Sequence, residues 1–318
     1  MTVDEVRELA GRIRREVAKA ITGQDDTVDL LMTALFSGGH VLLEGPPGTA
    51  KTLTTRVFAV ATGLDFGRIQ FTPDLMPGDI IGANLFNFQT SSFTLTKGPV
   101  FTELLLADEI NRTPPRTQAA LLEAMQERSV TFDGRTHTLS PRFTVVATQN
   151  PIEQQGVYPL PEAQLDRFLF KQVVTYPDMA EEAAIVRAHG SRLGTPQVAD
   201  WHVEPVASGD SLDAATRAVE GVRLVDDVVD YVVRLVRATR ESPALSSGAS
   251  PRAGAMLASA SRARTALDGR DYVIPDDVKA LALPALRHRV LLSAAAQIDG
   301  RRVEDVVAGL IADTEAPR

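Results

Sequence analysis

The sequence contains no cysteine, so disulfide bonds and thiolate metal sites are excluded. It has no uninterrupted run of the roughly 18 apolar residues that a membrane-spanning helix needs. Basic residues are in the minority, with 33 Lys and Arg against 41 Asp and Glu. A chain of net charge −8 is not expected to coat nucleic acid, although a local basic patch stays open. These absences favour a soluble cytoplasmic protein without membrane insertion.

The composition is that of a globular protein, and 318 residues suffice for one large domain or two moderate ones. Short apolar runs alternate with helical patterns in the first part of the chain. The strand candidates are residues 40–44, 66–71, 101–107 and 143–148. Because these runs are apolar along their length and separated by helices, they predict a parallel sheet covered by helices on both faces.

The pattern changes after residue 176, where Ala, Val, Asp and Arg recur at helical spacing without a clear strand candidate. Residues 194–210 are polar and contain glycine, which predicts a linker or long loop. The sequence therefore predicts an α/β domain over residues 1–176 and a smaller all-helical domain over residues 177–318.

Two segments in the first domain have the pattern of β-hairpins. Residues 84–96 alternate apolar and polar side chains around a Thr-Ser-Ser turn, and residues 130–139 contain Asp133-Gly134 between β-favouring residues. From the residues alone, surface decoration and a functional role are equally open.

A glycine-rich stretch, GPPGTAKT, occupies residues 45–52 between a strand candidate and a helix candidate. Phosphate binding needs inward-pointing backbone N–H groups, a helix N-terminus and a cation. Gly45 and Gly48 supply flexibility, Lys51 supplies charge, and Thr52 supplies a hydroxyl for Mg²⁺. A chance match in a turn remains the alternative.

The rest of the stretch fits a nucleotide cradle with one departure. Pro46 and Pro47 stiffen the turn without using an N–H that phosphates would need, and Thr49 and Leu53 complete the predicted nucleotide-binding residues. Ala50 stands where the phosphate-loop pattern has its last glycine. A methyl group is tolerable there if Ala50 already lies in the start of the helix with negative φ.

A second motif follows the third strand candidate, which ends in Asp108 and Glu109. In phosphate-loop enzymes the first acid holds Mg²⁺ and the second orients the attacking water. A buried strand that ends in a solvated acidic pair is the alternative, but the motif comes in the right order after the glycine-rich loop.

Five longer stretches match one known family together: LLADEINR at 105–112, QAALLEAMQE at 118–127, QFTPDL at 70–75, ATQNPIE at 147–153 and YPLPEAQLDRF at 158–168. By these stretches the chain resembles the MoxR family of AAA+ ATPases. The resemblance covers nearly the whole chain, and alanine before the loop lysine is in keeping with it. The resemblance implies an ATP hydrolase with ATP and Mg²⁺ as cofactors, assembled as a homo-oligomeric ring, expected to be a hexamer.

The resemblance implies further roles. Asn150 resembles sensor 1, with an ordinary strand-ending turn as the alternative. Arg167 resembles the arginine finger that reaches a neighbouring subunit's nucleotide, with a salt bridge to Asp166 or another local acid as the alternative. Arg252 resembles sensor 2, with an exposed first-turn arginine as the alternative.

Two other assignments concern residues around the motifs. Gly23 and Gln24 match the family segment that packs near adenine. Gln70 ends the second strand candidate, and we expect its side chain to hold Glu109 in an inactive pose until a substrate arrives.

The implied output is remodelling, assembly or activation of a protein or metalloenzyme complex, with a protein carrying a von Willebrand A type domain among the implied clients. Within the resemblance the two hairpins face the ring pore or the partner, and Phe86, Phe88 and Phe93 are contact candidates. Two alternatives stay open: a nucleic-acid motor and a nucleotide-gated scaffold without catalysis.

Overall fold

The computed structural model describes residues 1–87, 92–132, 134–151, 156–190 and 197–317. Within these residues, five strands form the central sheet: β1 (Val41–Glu44), β2 (Phe66–Gln70), β5 (Leu104–Asp108), β8 (Thr144–Gln149) and β9 (Phe170–Val173). They are parallel and lie in the order β2-β5-β8-β1-β9. The predicted parallel sheet is confirmed.

The strand β9 is an element that the sequence did not predict. Only Phe170 of its four residues is fully buried, and the next three are half-buried at the edge of the sheet. An edge strand with polar positions lacks the continuous apolar run by which the other strands were found.

The register brings the carboxyl ends of the strands together at one edge. Gln70 of β2 pairs with Asp108 of β5, and Glu44 of β1 pairs with Gln149 of β8. Ligands of open parallel sheets bind outside the carboxyl ends of the strands. This edge is therefore where the glycine-rich loop, the acidic pair and Asn150 meet.

Helices cover both faces of the sheet, as expected. They are α1 (Val3–Ala18), α2 (Asp25–Phe36), α3 (Lys51–Thr62), α4 (Pro77–Ile81), α5 (Pro115–Glu127) and α6 (Glu162–Leu165), with a 3₁₀ turn at Ile110–Arg112. Successive strand residues serve opposite faces: Leu43 joins the apolar cluster with α1, α2 and α3, whereas Leu42 joins the cluster with α5.

The C-terminal part is built mainly from helices. They are α7 (Met179–His189), α8 (Gly209–Glu220), α9 (Asp226–Glu241), α10 (Pro251–Leu267), α11 (Pro275–Leu286), α12 (Ala294–Ile298) and α13 (Val303–Asp313), with a 3₁₀ turn at Val198–Trp201. The expectation of no strands here was wrong in one detail. A short antiparallel pair joins β10 (Leu245–Ser247) to β11 (Leu291–Leu292), too short to give a sequence signal.

The predicted boundary between residues 176 and 177 stays a prediction. One apolar cluster crosses it, because Leu9 and Ile13 of α1 belong to the same cluster as Leu257 of α10. Of the predicted loop at 194–210, residues 194–196 lie outside the described residues; residues 197–208 hold only the 3₁₀ turn, and α8 begins at Gly209.

The strands of both predicted hairpins are paired, while the turn residues 88–91 and Asp133 lie outside the described residues. β3 (Gly82–Asn87) pairs with β4 (Ser92–Lys97), and β6 (Ser129–Phe132) pairs with β7 (Arg135–Thr138), each antiparallel. The contact candidates Phe86, Phe88 and Phe93 have side chains outside the described part, so their role stays a prediction.

Candidate nucleotide site

The glycine-rich loop joins the end of β1 to the start of α3, as predicted. Two of its glycines are needed for different reasons. A Cβ at Gly45 would lie 2.3 Å from the carbonyl oxygen of Val174, so close backbone approach requires glycine there. Gly48 has φ of +83°, so its requirement is conformational.

Ala50 corrects one expectation. It precedes the first residue of α3 and has φ of 56° and ψ of 18°, in the left-handed region and not in the helix. Glycine would therefore be favoured at this position, and alanine costs about 1 kcal/mol in backbone strain. Its side chain is exposed, so no clash adds to that cost.

Lys51 folds back into the curl of the loop. Its Nζ donates to the carbonyl oxygens of Gly45 and Pro46, each at 2.7 Å, and to Thr49 Oγ1 at 3.3 Å. Burial lowers the pKa of Lys51, and the nearby carboxylates of Asp108 and Glu109 oppose that shift. The ammonium group thus lies where a bound phosphate would replace the loop carbonyls as its partner.

Thr52 and Asp108 place two oxygen atoms that could bind a metal ion next to each other. Thr52 Oγ1 donates to Asp108 Oδ2 at 3.2 Å, and Thr148 Oγ1 donates to Asp108 Oδ1 at 2.7 Å. A hydroxyl and a carboxylate are hard oxygen ligands of the kind that Mg²⁺ takes beside phosphates and water. The donor set therefore fits the metal predicted for these residues.

Glu109 is held from both its backbone and its side chain. Its φ of 58° lies in the left-handed region, and its N–H donates to Thr148 Oγ1 at 2.9 Å. Glu109 Oε2 accepts a hydrogen bond from Gln70 Nε2 at 2.6 Å, and it forms an ion pair with Arg112, whose Nε lies 3.2 Å away. The contact between Gln70 and Glu109 is as expected, while the regulatory role of Gln70 stays a prediction.

The segment at Gly23 and Gln24 reaches the loop, as the adenine assignment requires. Gln24 Nε2 donates to the carbonyl oxygen of Thr49 at 2.6 Å, and Gln24 Oε1 accepts from Thr54 Oγ1 at 3.0 Å. A cavity lies between this segment and the loop. It is lined by residues 20–24, Gly48, Thr49, Ala50, Leu53, Thr175, Pro177 and Ile185.

Asn150 directly follows β8 and is buried, so it lies at the same edge of the sheet as the loop. Arg167 and Arg252 lie elsewhere. Both line a separate cavity together with Gly38 and Gln126, and no loop residue lines it. Arg252 lines this cavity and not the one beside the loop, and its assignment among the nucleotide-binding residues stays a prediction.

Arg167 makes local contacts that differ from the predicted alternative. Its Nε donates to Gln126 Oε1 at 3.1 Å and its Nη1 to the carbonyl oxygen of Ala163 at 2.9 Å. Asp166 pairs instead with Arg289 Nε at 2.7 Å. The alternative of a salt bridge to Asp166 is therefore not seen among the described residues, where Arg289 pairs with that carboxylate, and the role of Arg167 as an arginine finger stays a prediction.

Sequence reasoning missed Arg68 and Thr148, which both contact Asp108. Each stands two residues before a residue that was singled out, Gln70 and Asn150. Alternate strand residues share one face, so this spacing could have found them.

Comparisons with known proteins agree with this geometry. Residues 40–170 match the model of the "ATPase family associated with various cellular activities (AAA)", and residues 237–310 match the "AAA lid domain". The chain is 45% identical over 312 residues to "Chaperone MoxR1" of Mycobacterium tuberculosis, covering 95% of this chain and 81% of that protein. The chain belongs to the MoxR family of AAA+ ATPases.

Two further similarities extend over nearly the full length. "Protein MoxR" of Methylorubrum extorquens is 32% identical, with 98% of this chain and 96% of that protein covered. A crystal structure from Cytophaga hutchinsonii, provisionally assigned as an ATPase, is 36% identical with a TM-score of 0.90, covering 99% of this chain and 97% of that one. Across the described part of this MoxR-family chain, the helices are too short or too polar to span a bilayer.

Proposed function

We propose that this MoxR-family chain hydrolyses ATP to ADP and phosphate, and that this drives remodelling of a client protein. The observation that carries the proposal is the meeting of three groups at the carboxyl edge of the sheet. Lys51 lies in the loop curl, Thr52 Oγ1 lies 3.2 Å from Asp108 Oδ2, and Glu109 follows in the next position. These are the groups that phosphoryl transfer to water needs.

Each group has a task that follows from its chemistry. Lys51 and the loop amides bind the phosphates, and Thr52 with Asp108 holds Mg²⁺, which when bound neutralises charge on the phosphate oxygens. Glu109 orients a water molecule as nucleophile, and Asn150 helps to position it. Gly23, Gln24 and Leu53 line the cavity that receives the base.

Arg167 and Arg252 are proposed to act on the nucleotide of a neighbouring copy. Their shared cavity is lined by no residue of the glycine-rich loop, so each has a role only if another subunit presents its loop there. This arrangement supports assembly into a ring, for which a hexamer is our proposal. The charge of such arginines stabilises the transition state of phosphoryl transfer.

The client side of the proposal rests on similarity. A relative carries the name "Chaperone MoxR1", which supports a protein client for this chain. We propose a cytoplasmic ring that remodels a protein complex, with a von Willebrand A domain protein as the first client to test. The hairpins β3-β4 and β6-β7 are the proposed contact elements.

Measurement of phosphate release tests the enzymatic part. Wild type is expected to hydrolyse ATP with Mg²⁺, and Glu109→Gln is expected to bind ATP without hydrolysing it. Glu123→Gln is the matched control, because it makes the same change of acid to amide at an exposed position of α5. Equal hydrolysis by Glu109→Gln and wild type would contradict the assignment.

The same variant separates the remaining functions. A stalled Glu109→Gln ring in ATP should retain a client in a pull-down, whereas Lys51→Ala should not. A nucleic-acid motor would instead bind duplex or single-stranded DNA with a steep salt dependence in a mobility-shift assay. A scaffold without catalysis would bind ATP and release no phosphate even as wild type.

A further inference from the structure

Arg68 connects the two acids of the proposed site in a way that no motif assigns. It lies on the edge strand β2 two residues before Gln70, so both side chains lie on one face of the strand. Arg68 Nη2 lies 2.8 Å from Gln70 Oε1 and 2.8 Å from Asp108 Oδ2. An Nη2 group carries two hydrogens, so it can donate to both acceptors at once.

The oxygen of Asp108 that Arg68 contacts is the one proposed for the metal. Oδ2 faces Thr52 Oγ1 at 3.2 Å, whereas Oδ1 accepts from Thr148 Oγ1 at 2.7 Å. Thr148 therefore fixes one oxygen of the carboxylate, and Arg68 covers the other. A cation that takes Oδ2 as a ligand must compete with the guanidinium for the same lone pairs.

We propose that Arg68 is a positioning residue that holds the metal-side oxygen of Asp108 and releases it when Mg²⁺ binds. The proposal rests on the proposed function, because it takes Asp108 as the metal ligand. Exposure favours the exchange: the side chain of Arg68 is 47% exposed and that of Asp108 is 11% exposed. Arg68 can thus leave into water while Asp108 stays in place, since a partly exposed ion pair contributes little net stability.

The release has a consequence for Glu109. Arg68 donates to Gln70 Oε1, and Gln70 in turn donates from Nε2 to Glu109 Oε2 at 2.6 Å. The guanidinium therefore fixes the orientation of the Gln70 amide, which points its NH₂ group at Glu109. When Arg68 leaves Asp108, that support is lost and Gln70 can turn away. Binding of the metal ion at Asp108 is therefore coupled, through Arg68 and Gln70, to the release of Glu109.

Binding of a fluorescent ADP analogue during Mg²⁺ titration tests the proposal without hydrolysis. Arg68→Gln is expected to lower the Mg²⁺ concentration for half-maximal analogue binding about two- to fivefold, the range open to a partly exposed ion pair. Arg112→Gln is the matched control: it removes the same charge beside Glu109 Oε2, 3.2 Å from Arg112 Nε. It is expected to leave the Mg²⁺ requirement as in wild type. Gln70→Ala removes the second acceptor of Arg68 Nη2 and is expected to lower the requirement by less than Arg68→Gln does.

Three results would overturn the proposal. An equal decrease in both arginine variants would show a general charge effect and not a specific contact. A higher Mg²⁺ requirement in Arg68→Gln would mean that Arg68 supports the metal site. An unchanged requirement would mean that the ion pair between Arg68 and Asp108 does not affect metal binding. Wild type that fails to bind the analogue at any Mg²⁺ concentration would instead contradict the proposed function itself.

Discussion

Gln70 Nε2 donates a 2.6 Å hydrogen bond to Glu109 Oε2, joining the end of β2 to the residue that follows β5. The register explains this contact, because Gln70 pairs with Asp108 in the parallel ladder and Glu109 is the next residue. In this arrangement one oxygen of the carboxylate is engaged by an amide and is not available to a water molecule.

Replacing Gln70 by alanine is therefore expected to raise the basal ATPase rate. The increase is expected to be about tenfold or more, since a hydrogen bond to a charged group contributes at least about 1.5 kcal/mol. Stimulation by a client should weaken in the same variant. Steady-state phosphate release with and without client measures both, and Gln297→Ala, at an exposed position of α12, is the control. An unchanged ratio of stimulated to basal rate would contradict the idea.

The contact between Gln70 and Glu109 could be predicted because both follow from strand ends. A polar residue at the end of one apolar strand and an acid at the end of another meet at the same edge of a parallel sheet. The placement of Arg252 could not be predicted this way. It depends on how α10 packs against the rest of the chain, and helix packing over a long sequence separation leaves no local pattern.

The left-handed conformation of Ala50 could not be predicted from the local sequence either. Whether the last loop residue belongs to the helix depends on where α3 begins, and helix ends are the least certain part of a sequence interpretation. The edge strand β9 was missed for another reason, since its mixed burial removes the apolar run. Sequence patterns thus predicted the sheet and its acidic edge, but not the contacts made by the helical part.

Ala50→Gly is expected to stabilise the fold by about 0.5–1 kcal/mol while ATP binding is kept, because glycine adopts positive φ without the Cβ penalty. Lys51→Ala is expected to lose ATP binding. Ala308→Gly is the control, since Ala308 is exposed within α13 and glycine there should destabilise by about 1 kcal/mol. Denaturant unfolding gives both changes. Destabilisation by Ala50→Gly would mean that the left-handed conformation carries no strain here.

Arg289 is expected to be a main link between the helical part and the sheet. Its side chain is 1% exposed, it pairs with Asp166 at 2.7 Å, and its Nη2 donates to the carbonyl oxygen of Phe168 at 2.6 Å. Arg289→Met is expected to destabilise by about 2–3 kcal/mol, below the value for a fully buried pair because Asp166 is 25% exposed. Arg237→Met breaks a pair exposed on both sides and should cost less than about 1 kcal/mol. Equal losses in the two variants would contradict the structural role of Arg289.

His40 is expected to make stability depend on pH. Its Nδ1 accepts from the N–H of Val145 at 3.0 Å and its Nε2 faces the carbonyl oxygen of Met125 at 3.2 Å, which fits a neutral ring. Burial lowers the pKa of His40 from 6.5 to about 4, with the Met125 contact opposing. The unfolded chain thus binds the proton first as pH falls. The contribution of neutral His40 to the free energy of unfolding is complete above pH 6.5. It decreases by about 3 kcal/mol as the pH falls to about 4.

The measurement for His40 is the free energy of unfolding between pH 7.5 and 4 in wild type and His40→Asn. The difference between the two proteins should shrink as pH falls, because the variant has no imidazole to protonate. Burial also lowers the pKa of His288, so some pH dependence is expected to remain in the variant. Parallel curves for the two proteins would show that His40 does not titrate as its burial requires.

Arg167 and Arg252 are expected to act across a subunit boundary, because the cavity that they line together has no residue of the glycine-rich loop in its wall. Arg167→Ala should keep ATP binding and lose hydrolysis by about 10³. Mixing Arg167→Ala with Lys51→Ala should restore part of the activity, because some boundaries then join an intact loop to an intact arginine. Arg237→Met, at an exposed position of α9, is the control. It should hydrolyse ATP as wild type does, and mixing it with Lys51→Ala should give no gain in activity. If the mixed pair stays as inactive as either variant alone while both still assemble, Arg167 does not serve a neighbouring site.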